Sequence, residues 1–524
     1  MTDRGYGSWL TQHALRNGQR TALVDDVGGA VTTYSQLETR TNQLAAALDA
    51  NGVQRGDRVA MLLLNSPQMM EIYFAVAKLG AIAVPVNFRL HASEVAYVLE
   101  DSGSSFLFHS TAFAELAADA TADNRRIQRS VTVPTLAERA TTSGGGSAGD
   151  YEEFLAGGSP ERVEREISHD DICVLMYTSG TTGRPKGAML THGNFFYNAV
   201  NGMGFDSGLG RTDITISAAP LFHIGALGVH TLPFLFIGAQ VVITEAFAPD
   251  AWLEAVSRHK VTKAFLVPAM WAAVAQSGAL QTADLSTLRS GISGGAPCPI
   301  TVITALREAG MEFTEGFGMT ETAPIAACLQ PEDVVAHAGS IGRPAQFNDF
   351  RIVDEEGVQV PIGEVGELCV RGPNVFIGYW NKPDETAKAL RNGWFHTGDL
   401  AHVDEEGFYT LVDRKKDMVI TGGENVYPIE VEQVMYQHPE VREVAVIGVP
   451  DAKWGERVMA VVVRTEGASV DADGLRQWTR GRIAHFKAPS EVVLVDELPR
   501  TATGKLLKRN LRQELGEPDA AVSR

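Results

Sequence analysis

At 524 residues the chain has room for a large core and more than one domain. Apolar content of 44% and charged content of 21% are ordinary for a soluble globular protein. A net charge of −19 argues against nucleic acid, and against general electrostatic binding to an anionic membrane.

The first third alternates helix and strand. Ser35 and Glu38 form a capping-box pattern ahead of Leu37, Leu44 and Leu48, an apolar stripe at helical spacing. A strand is predicted at Val59–Leu64. Ser66 and Pro67 then supply an N-cap and first helical residue, and Gly80 a stop. Ala81–Val86 reads as the next strand, and Ser93 as the cap of a helix before a strand at Ser105–Phe108. Repeated β-α-β units of this kind imply a largely parallel sheet covered by helices. From Ala120 to Glu166 the pattern weakens, with Arg125, Arg126 and Arg129 read as a solvated loop and Ser143–Gly149 as a flexible one.

The apolar strand Ile172–Met176 leads into the most informative stretch, Tyr177–Leu190. Gly180, Gly183 and Gly187 let backbone N–H groups approach a polyphosphate closely, Thr178, Ser179, Thr181 and Thr182 add hydroxyl donors, and Lys186 adds charge. Gly187 stands where a Walker A loop needs Ser or Thr, so the loop is not of that kind. Alternation resumes through Ile214–Ala218, Val241–Thr244 and Ala264–Val267.

Further candidates follow in chain order. Pro220 to Gly225 contains Phe222, His223 and Ile224, where His223 is either a substrate-facing group or a core histidine. A strand at Leu288–Ile292 precedes Gly294, Gly295, Ala296 and Pro297. Glu315, Gly316, Phe317, Gly318, Met319, Thr320 and Glu321 then combine a stackable ring, a hydroxyl donor and a hard oxygen ligand suited to Mg²⁺. Between Gly339 and Val412 short strands alternate with acidic turns, indicating a small antiparallel subdomain. In His396-Thr397-Gly398-Asp399, the two oxygens of Asp399 match the vicinal hydroxyls of a ribose, although a lone Asp after Gly is also an ordinary turn residue. The charged run Asp413 to Asp417 leads into a compact α+β segment.

These motifs, in this order, resemble the adenylate-forming superfamily of acyl-CoA synthetases, luciferases and adenylation domains over nearly the whole chain. The resemblance implies an α/β N-terminal domain of helix-covered sheets with a small antiparallel β subdomain, residues 1–415, and a small mobile α+β C-terminal domain, residues 416–524. It makes Lys416 the hinge. It implies that ATP is held by Thr178 through Gly183, Lys186, Gly294 through Pro297, Glu315 through Thr320, Asp399 and Arg414, and that Mg²⁺ sits on Glu321 and Thr181. Lys505 is implied as the catalytic cation bridging carboxylate and α-phosphate, alongside Thr320, Glu321 and His223. Considered alone, a lysine so near the C-terminus would be solvated. CoA is implied at Gly422, Gly423, Glu424, Trp454, Phe486 and Lys487. Ala488 departs from relatives that carry an arginine there, and Trp454 reads equally well as packing. The acyl pocket is implied at Phe222, His223, Ile224 and Met319.

The expected activity is that of an ATP-dependent acyl-CoA synthetase, AMP-forming, on a medium- or long-chain fatty acid. The alternatives are an aryl acid of the coumarate or benzoate kind, or an acid:AMP ligase loading a carrier protein. From another class, Gly291-Ile292-Ser293-Gly294-Gly295 satisfies G-x-S-x-G, the nucleophile pattern of a serine hydrolase, but no HGGG-type motif precedes it. Partners are expected to be small molecules, with no nucleic acid and no integral membrane segment, and the resemblance allows a homodimer. Cys173, Cys298, Cys328 and Cys369 are widely spaced with no CxxC pair, which fits a reducing cytoplasm. MTDRGYGSWL carries no signal-peptide run.

Overall fold

Short apolar strands separated by capped helices build two sheets in the first part of the chain. The computed structural model describes residues 3–141, 149–178, 184–205, 207–414, 417–421, 424–451, 453–500 and 506–515, with Gly149 and Arg414 by backbone alone. These divide into one unit of Met1–Phe350 with Val370–Phe395, and a second of Arg351–Cys369 with His396–Arg524.

In the first unit, among the described residues, a six-stranded sheet runs in the order Arg129–Val133, Phe106–Ser110, Arg58–Leu62, Ile82–Pro85, Ile172–Thr178 and Lys186–Thr191. All but the last pair are parallel; Lys186–Thr191 turns back antiparallel on Ile172–Thr178. A nine-stranded sheet is parallel from Thr21–Asp25 through Glu312–Gly318 and antiparallel at both edges. This is the helix-covered, mainly parallel architecture expected from the β-α-β repeats. Ala60, Leu62, Val84, Leu107 and Leu175 from the strands pack with Val95, Val98 and Leu99 of the helix Ala92–Ser102.

The helix caps explain where elements begin. Ser66 accepts from the Met69 amide, Pro67 follows, and Gly80 ends the helix Pro67–Leu79 at φ +68, all as expected. Two caps differ. The helix Tyr34–Ala50 starts from Thr33, boxed with Gln36, and not from Ser35 with Glu38. Glu38 instead turns inward, where Lys78 Nζ lies 2.6 Å from Oε2. Likewise His91, boxed with Glu94, caps the helix that Ser93 was expected to cap. In both cases an upstream residue offers the same three-residue reciprocal spacing, and the backbone takes it.

The weakly patterned region after Ala120 is filled by the helices Leu136–Thr141 and Gly149–Ala156. Tyr151 and Arg40 both bond Glu71, tying the second of these to the sheet-covering helices. The glycine-rich loop expected at 143–149 lies, up to residue 148, outside the described residues.

The second unit contains antiparallel strands along Gly366–Arg371, Trp394–Val403 and Tyr409–Arg414, the small subdomain expected there. The α+β segment follows. Val441–Asp451 pairs antiparallel with Gly455–Arg464 over ten residues of register, and Glu491–Leu494 joins in parallel. Val444, Val446, Val458, Ala460 and Val462 bury one face against Val431, Met435 and Leu475 from two helices. Among the described residues no helix is long and apolar enough to cross a membrane.

Candidate active site

Thr178 and Lys186 are register partners at the ends of the two antiparallel strands of one hairpin. Lys186 and Gly187 therefore stand on a strand and not in the loop the sequence suggested. Ser179, Gly180, Thr181, Thr182 and Gly183 lie outside the described residues.

A segment the sequence reading did not single out gathers the charged groups beside this hairpin. Met189 N–H donates to the Gly378 carbonyl at 2.9 Å, and Trp380 N–H to that of Gly187 at 2.8 Å, laying residues 378–380 along the second strand. Tyr379 then sits between two expected site residues. Its hydroxyl donates to Glu321 Oε1 at 2.7 Å, and Lys186 Nζ lies 5.4 Å from its ring centroid. Lys186 also pairs with Glu385, whose carboxyl is held below its ordinary range by that contact and by Lys388. Burial and the neighbouring Glu321 charge push the Tyr379 phenol up, so it stays a donor. Glu321 is fixed from its backbone as well, its carbonyl accepting from Phe376 N–H at 2.8 Å.

The strands Ser290–Gly294 and Glu312–Gly318 run in parallel with Gly294 opposite Gly316. The Gly294–Pro297 turn and the Phe317 motif thus emerge side by side. Glu315 holds that turn: its buried carboxylate accepts from Cys298 N–H at 2.8 Å. Burial pushes Glu315 up to about 7, opposed by the Cys298 amide, while burial and the Glu315 charge push the Cys298 thiol up to about 12. Gly318 is required by close approach, because a Cβ there would lie 1.6 Å from the Pro324 carbonyl oxygen. Phe317 is only 9% exposed and meets Phe350 edge-on at 6.4 Å. Met319 N–H donates to Thr322 Oγ1, and Thr320 is buried in the short helix that carries Glu321.

Pro220 to Ile224 is positioned by groups far away in sequence. Asn65 donates to the Ala219 carbonyl at 2.9 Å and accepts from Leu221 N–H at 2.8 Å; Tyr73 donates to the Leu221 carbonyl at 3.1 Å. Phe222 packs edge-on to Phe88, which stacks on Phe113. His223 is exposed and its Nδ1 accepts from Gly225 N–H at 3.2 Å, which removes the core-histidine reading. Ile224 is buried.

The hydrolase pattern fails on geometry. Ser293 lies inside a parallel strand, fully buried between register partners Leu266 and Glu315, and not on an exposed strand-to-helix turn.

In the second unit Asp399 is on a strand, not in a turn, with Arg414 directly opposite it on Tyr409–Arg414. Lys415 and Lys416 lie outside the described residues, as do Gly422, Gly423 and Lys505. Glu424 begins a strand paired antiparallel with Val419–Thr421. Arg500 and Leu506 bridge antiparallel, and Leu507 N–H donates to the Pro499 carbonyl. Trp454 is 50% exposed with Lys453 Nζ 4.4 Å from its ring centroid. Phe486 is exposed, Lys487 pairs with Glu430 at 2.8 Å, and Ala488 is buried.

Family comparison agrees with this geometry. Residues 10–380 match the model of the AMP-binding enzymes, and residues 430–505 that of the AMP-binding enzyme C-terminal domain. A feruloyl-CoA synthase of an Amycolatopsis species is 44% identical over 98% of this chain and 100% of its own length. An indoleacetate–CoA ligase of Aromatoleum aromaticum is 40% identical over 96% of this chain and 97% of its own. Among solved structures, the anthranilate CoA ligase AuaEII in complex with anthranoyl-AMP superposes with a TM-score of 0.90 at 28% identity, covering 98% of each chain.

Proposed function

The chain belongs to the AMP-binding enzyme family, and from that premise we propose that it joins an aryl acid, of the arylpropenoic or arylacetic kind, to CoA. It is an AMP-forming acid–thiol ligase working through an acyl-adenylate, with ATP and CoA as substrates. The observation that carries the reading is the Lys186–Tyr379–Glu321 cluster. It sets a cation and an oriented carboxylate together, as an incoming phosphate chain requires.

The roles follow from the chemistry. We assign the phosphates to Thr178, Ser179 through Gly183, Lys186 and Thr320, the adenine to the Gly294–Pro297 turn with Glu315 through Met319, and the ribose to Asp399 and Arg414. The acid lies by Phe222, His223, Ile224 and Met319. Its carboxylate attacks the α-phosphorus and pyrophosphate leaves, with Lys505 balancing the charge between the two anions. The CoA thiolate then attacks the acyl carbonyl, and the mixed anhydride breaks with AMP as leaving group. Gly422, Gly423, Glu424, Trp454, Phe486 and Lys487 are assigned to CoA. Rotation of residues 416–524 about Lys416 against 1–415 lets one site run both steps, with water kept from the adenylate.

Magnesium fits the residues present. Among the described residues no three acidic, histidine or cysteine side chains converge into a metal cage. A single oriented carboxylate, Glu321 with Thr181, suits an ion held mostly by phosphate oxygens and water. When bound, it would neutralise phosphate charge.

Fatty acids, the first expectation, have weaker support than aryl acids, because the feruloyl and indoleacetate enzymes are the more similar relatives. A reducing cytoplasm is the assigned compartment. The test measures AMP release from ATP and Mg²⁺ with ferulate, coumarate, indoleacetate, benzoate and C8–C16 fatty acids, each with and without CoA. Turnover needing both an arylpropenoate or arylacetate and CoA supports the reading. A preference for palmitate would overturn the substrate class, and acid-dependent pyrophosphate exchange without CoA-dependent turnover would point to a carrier protein.

A further inference from the structure

The strand Trp394–Val403 that carries Asp399 contains one left-handed residue just before it. Gly398 has φ +73, a left-handed conformation in which glycine is the residue without penalty, and nothing lies near its missing Cβ. The kink lets the Thr397 side chain reach forward two residues: Asp399 N–H donates to Thr397 Oγ1 at 3.0 Å. The same hydroxyl donates its proton to the Leu368 carbonyl at 2.7 Å. One oxygen therefore joins the neighbouring strand Gly366–Arg371 to the amide of Asp399.

That anchor strand is itself held on both sides of Leu368. His396 Nδ1 lies 3.3 Å from Glu367 Oε2 and 3.3 Å from Cys369 Sγ. Glu367 and Cys369 are buried, so the Leu368 carbonyl is a fixed point. Asp399 is itself only 5% exposed, so its carboxylate has little room to find a new pose if its backbone drifts.

We propose that Thr397 is the positioning residue that aims Asp399 at the two ribose hydroxyls of ATP, by fixing the Asp399 amide to the Leu368 carbonyl through one side-chain hydroxyl. The inference rests on the assignment of Asp399 to the ribose. A carboxylate that accepts from two vicinal hydroxyls needs placement within about 0.5 Å. Loss of Thr397 Oγ1 leaves both the Asp399 amide and the Leu368 carbonyl without that link, and the kink at Gly398 can then relax.

The experiment uses the full-length enzyme and compares ATP with 2′-deoxyATP and 3′-deoxyATP in acid-dependent pyrophosphate exchange. Wild type, Thr397→Val, Thr397→Ser and Asp399→Asn are measured, with thermal unfolding of each. Wild type is expected to prefer ATP, and Asp399→Asn to lose that preference. Thr397→Val should raise KM for ATP by about tenfold, as for a hydrogen bond to a charged group, while KM for the deoxy analogues changes by less than about twofold. Thr397→Ser should restore the wild-type pattern.

If Thr397→Val keeps the full preference for ATP, or weakens all three nucleotides equally, Thr397 is structural only and the proposal is overturned with Asp399 still assigned. If wild type shows no preference, or Asp399→Asn retains it, the ribose assignment falls and takes the proposal with it. Should Thr397→Val not fold, Thr397→Ala reads the same ratio and decides in the same way.

Discussion

The Tyr379 hydroxyl donates to Glu321 Oε1 at 2.7 Å, across 58 residues of sequence. A bond from a neutral donor to a carboxylate contributes roughly 1.5–3 kcal/mol, so Tyr379→Phe should slow pyrophosphate exchange by at least about tenfold and raise the Mg²⁺ needed for half-maximal rate. The ring contact with Phe376 remains, so the variant should fold and melt at most a few degrees below wild type. Unchanged Mg²⁺ dependence would remove Tyr379 from the site.

Lys186 pairs with Glu385, and the two residues have distinct expected effects. Lys186→Ala deletes the charge that meets phosphate and should lower kcat/KM for ATP by about 10–100-fold. Glu385→Gln leaves that charge and removes a partly exposed partner, an effect of about threefold or less. Steady-state kinetics with varied ATP separates them; equal losses would mean that Lys186 acts only through its pairing with Glu385.

Glu315 gives a pH dependence with a definite sign. Burial pushes its carboxyl from the ordinary 4.5 up to about 7. The folded state therefore keeps a proton that the unfolded chain releases, and stability falls as pH rises between about 4.5 and 7. Glutamine cannot ionise and still offers Cys298 N–H an acceptor. Glu315→Gln should match wild type at pH 5 and be more stable at pH 8, by up to roughly 3 kcal/mol and a few degrees in melting temperature. Thermal unfolding scanned from pH 5 to 8.5 reads the difference, and parallel curves at every pH would contradict the buried, protonated carboxyl.

The contrast between Glu321 and its partner shows what was legible in the sequence. Glu321, Phe317, Lys186 and Gly294 lie in short runs where several chemistry-bearing residues stand together, and local composition exposes them. The alternation of strands and capped helices was equally visible, because both are set by neighbours within one or two turns. Tyr379, Glu385 and Asn65 escaped notice, since each matters through a partner brought close only by the fold, and Thr397 was visible only as a member of its motif. Asn65 reaches Leu221 across 156 residues, and Lys186 reaches Glu385 across 199. The Thr33 and His91 caps were missed for a different reason: two candidate caps competed within two residues, and pattern alone does not rank them.

Lys505 is the residue assigned to balancing charge in adenylation, and its flanking residues Arg500 and Leu506 bridge antiparallel. Lys505→Ala should lose adenylation by about 100-fold or more while CoA still attacks supplied acyl-AMP at close to the wild-type rate. Single-turnover assays of the two half-reactions make the comparison. Equal loss of both would show that the lysine serves the fold or both steps alike.

Ser293 offers the complementary test, a variant expected to change nothing. Its hydroxyl is fully buried in the strand Ser290–Gly294 and finds no hydrogen-bond partner among the described residues. Removing an unsatisfied buried hydroxyl relieves a desolvation cost, so Ser293→Ala should be neutral or slightly stabilising, within about 1 kcal/mol. CoA-ligase turnover should be unchanged, and hydrolysis of p-nitrophenyl acetate should be as slow in the variant as in wild type. An esterase activity that disappears with Ser293→Ala would require the strand to open and expose the hydroxyl, and would restore the hydrolase reading. The register on both sides argues against such opening, because Ser293 is locked between Leu266 and Glu315, and Glu315 is the residue that also holds the Cys298 amide.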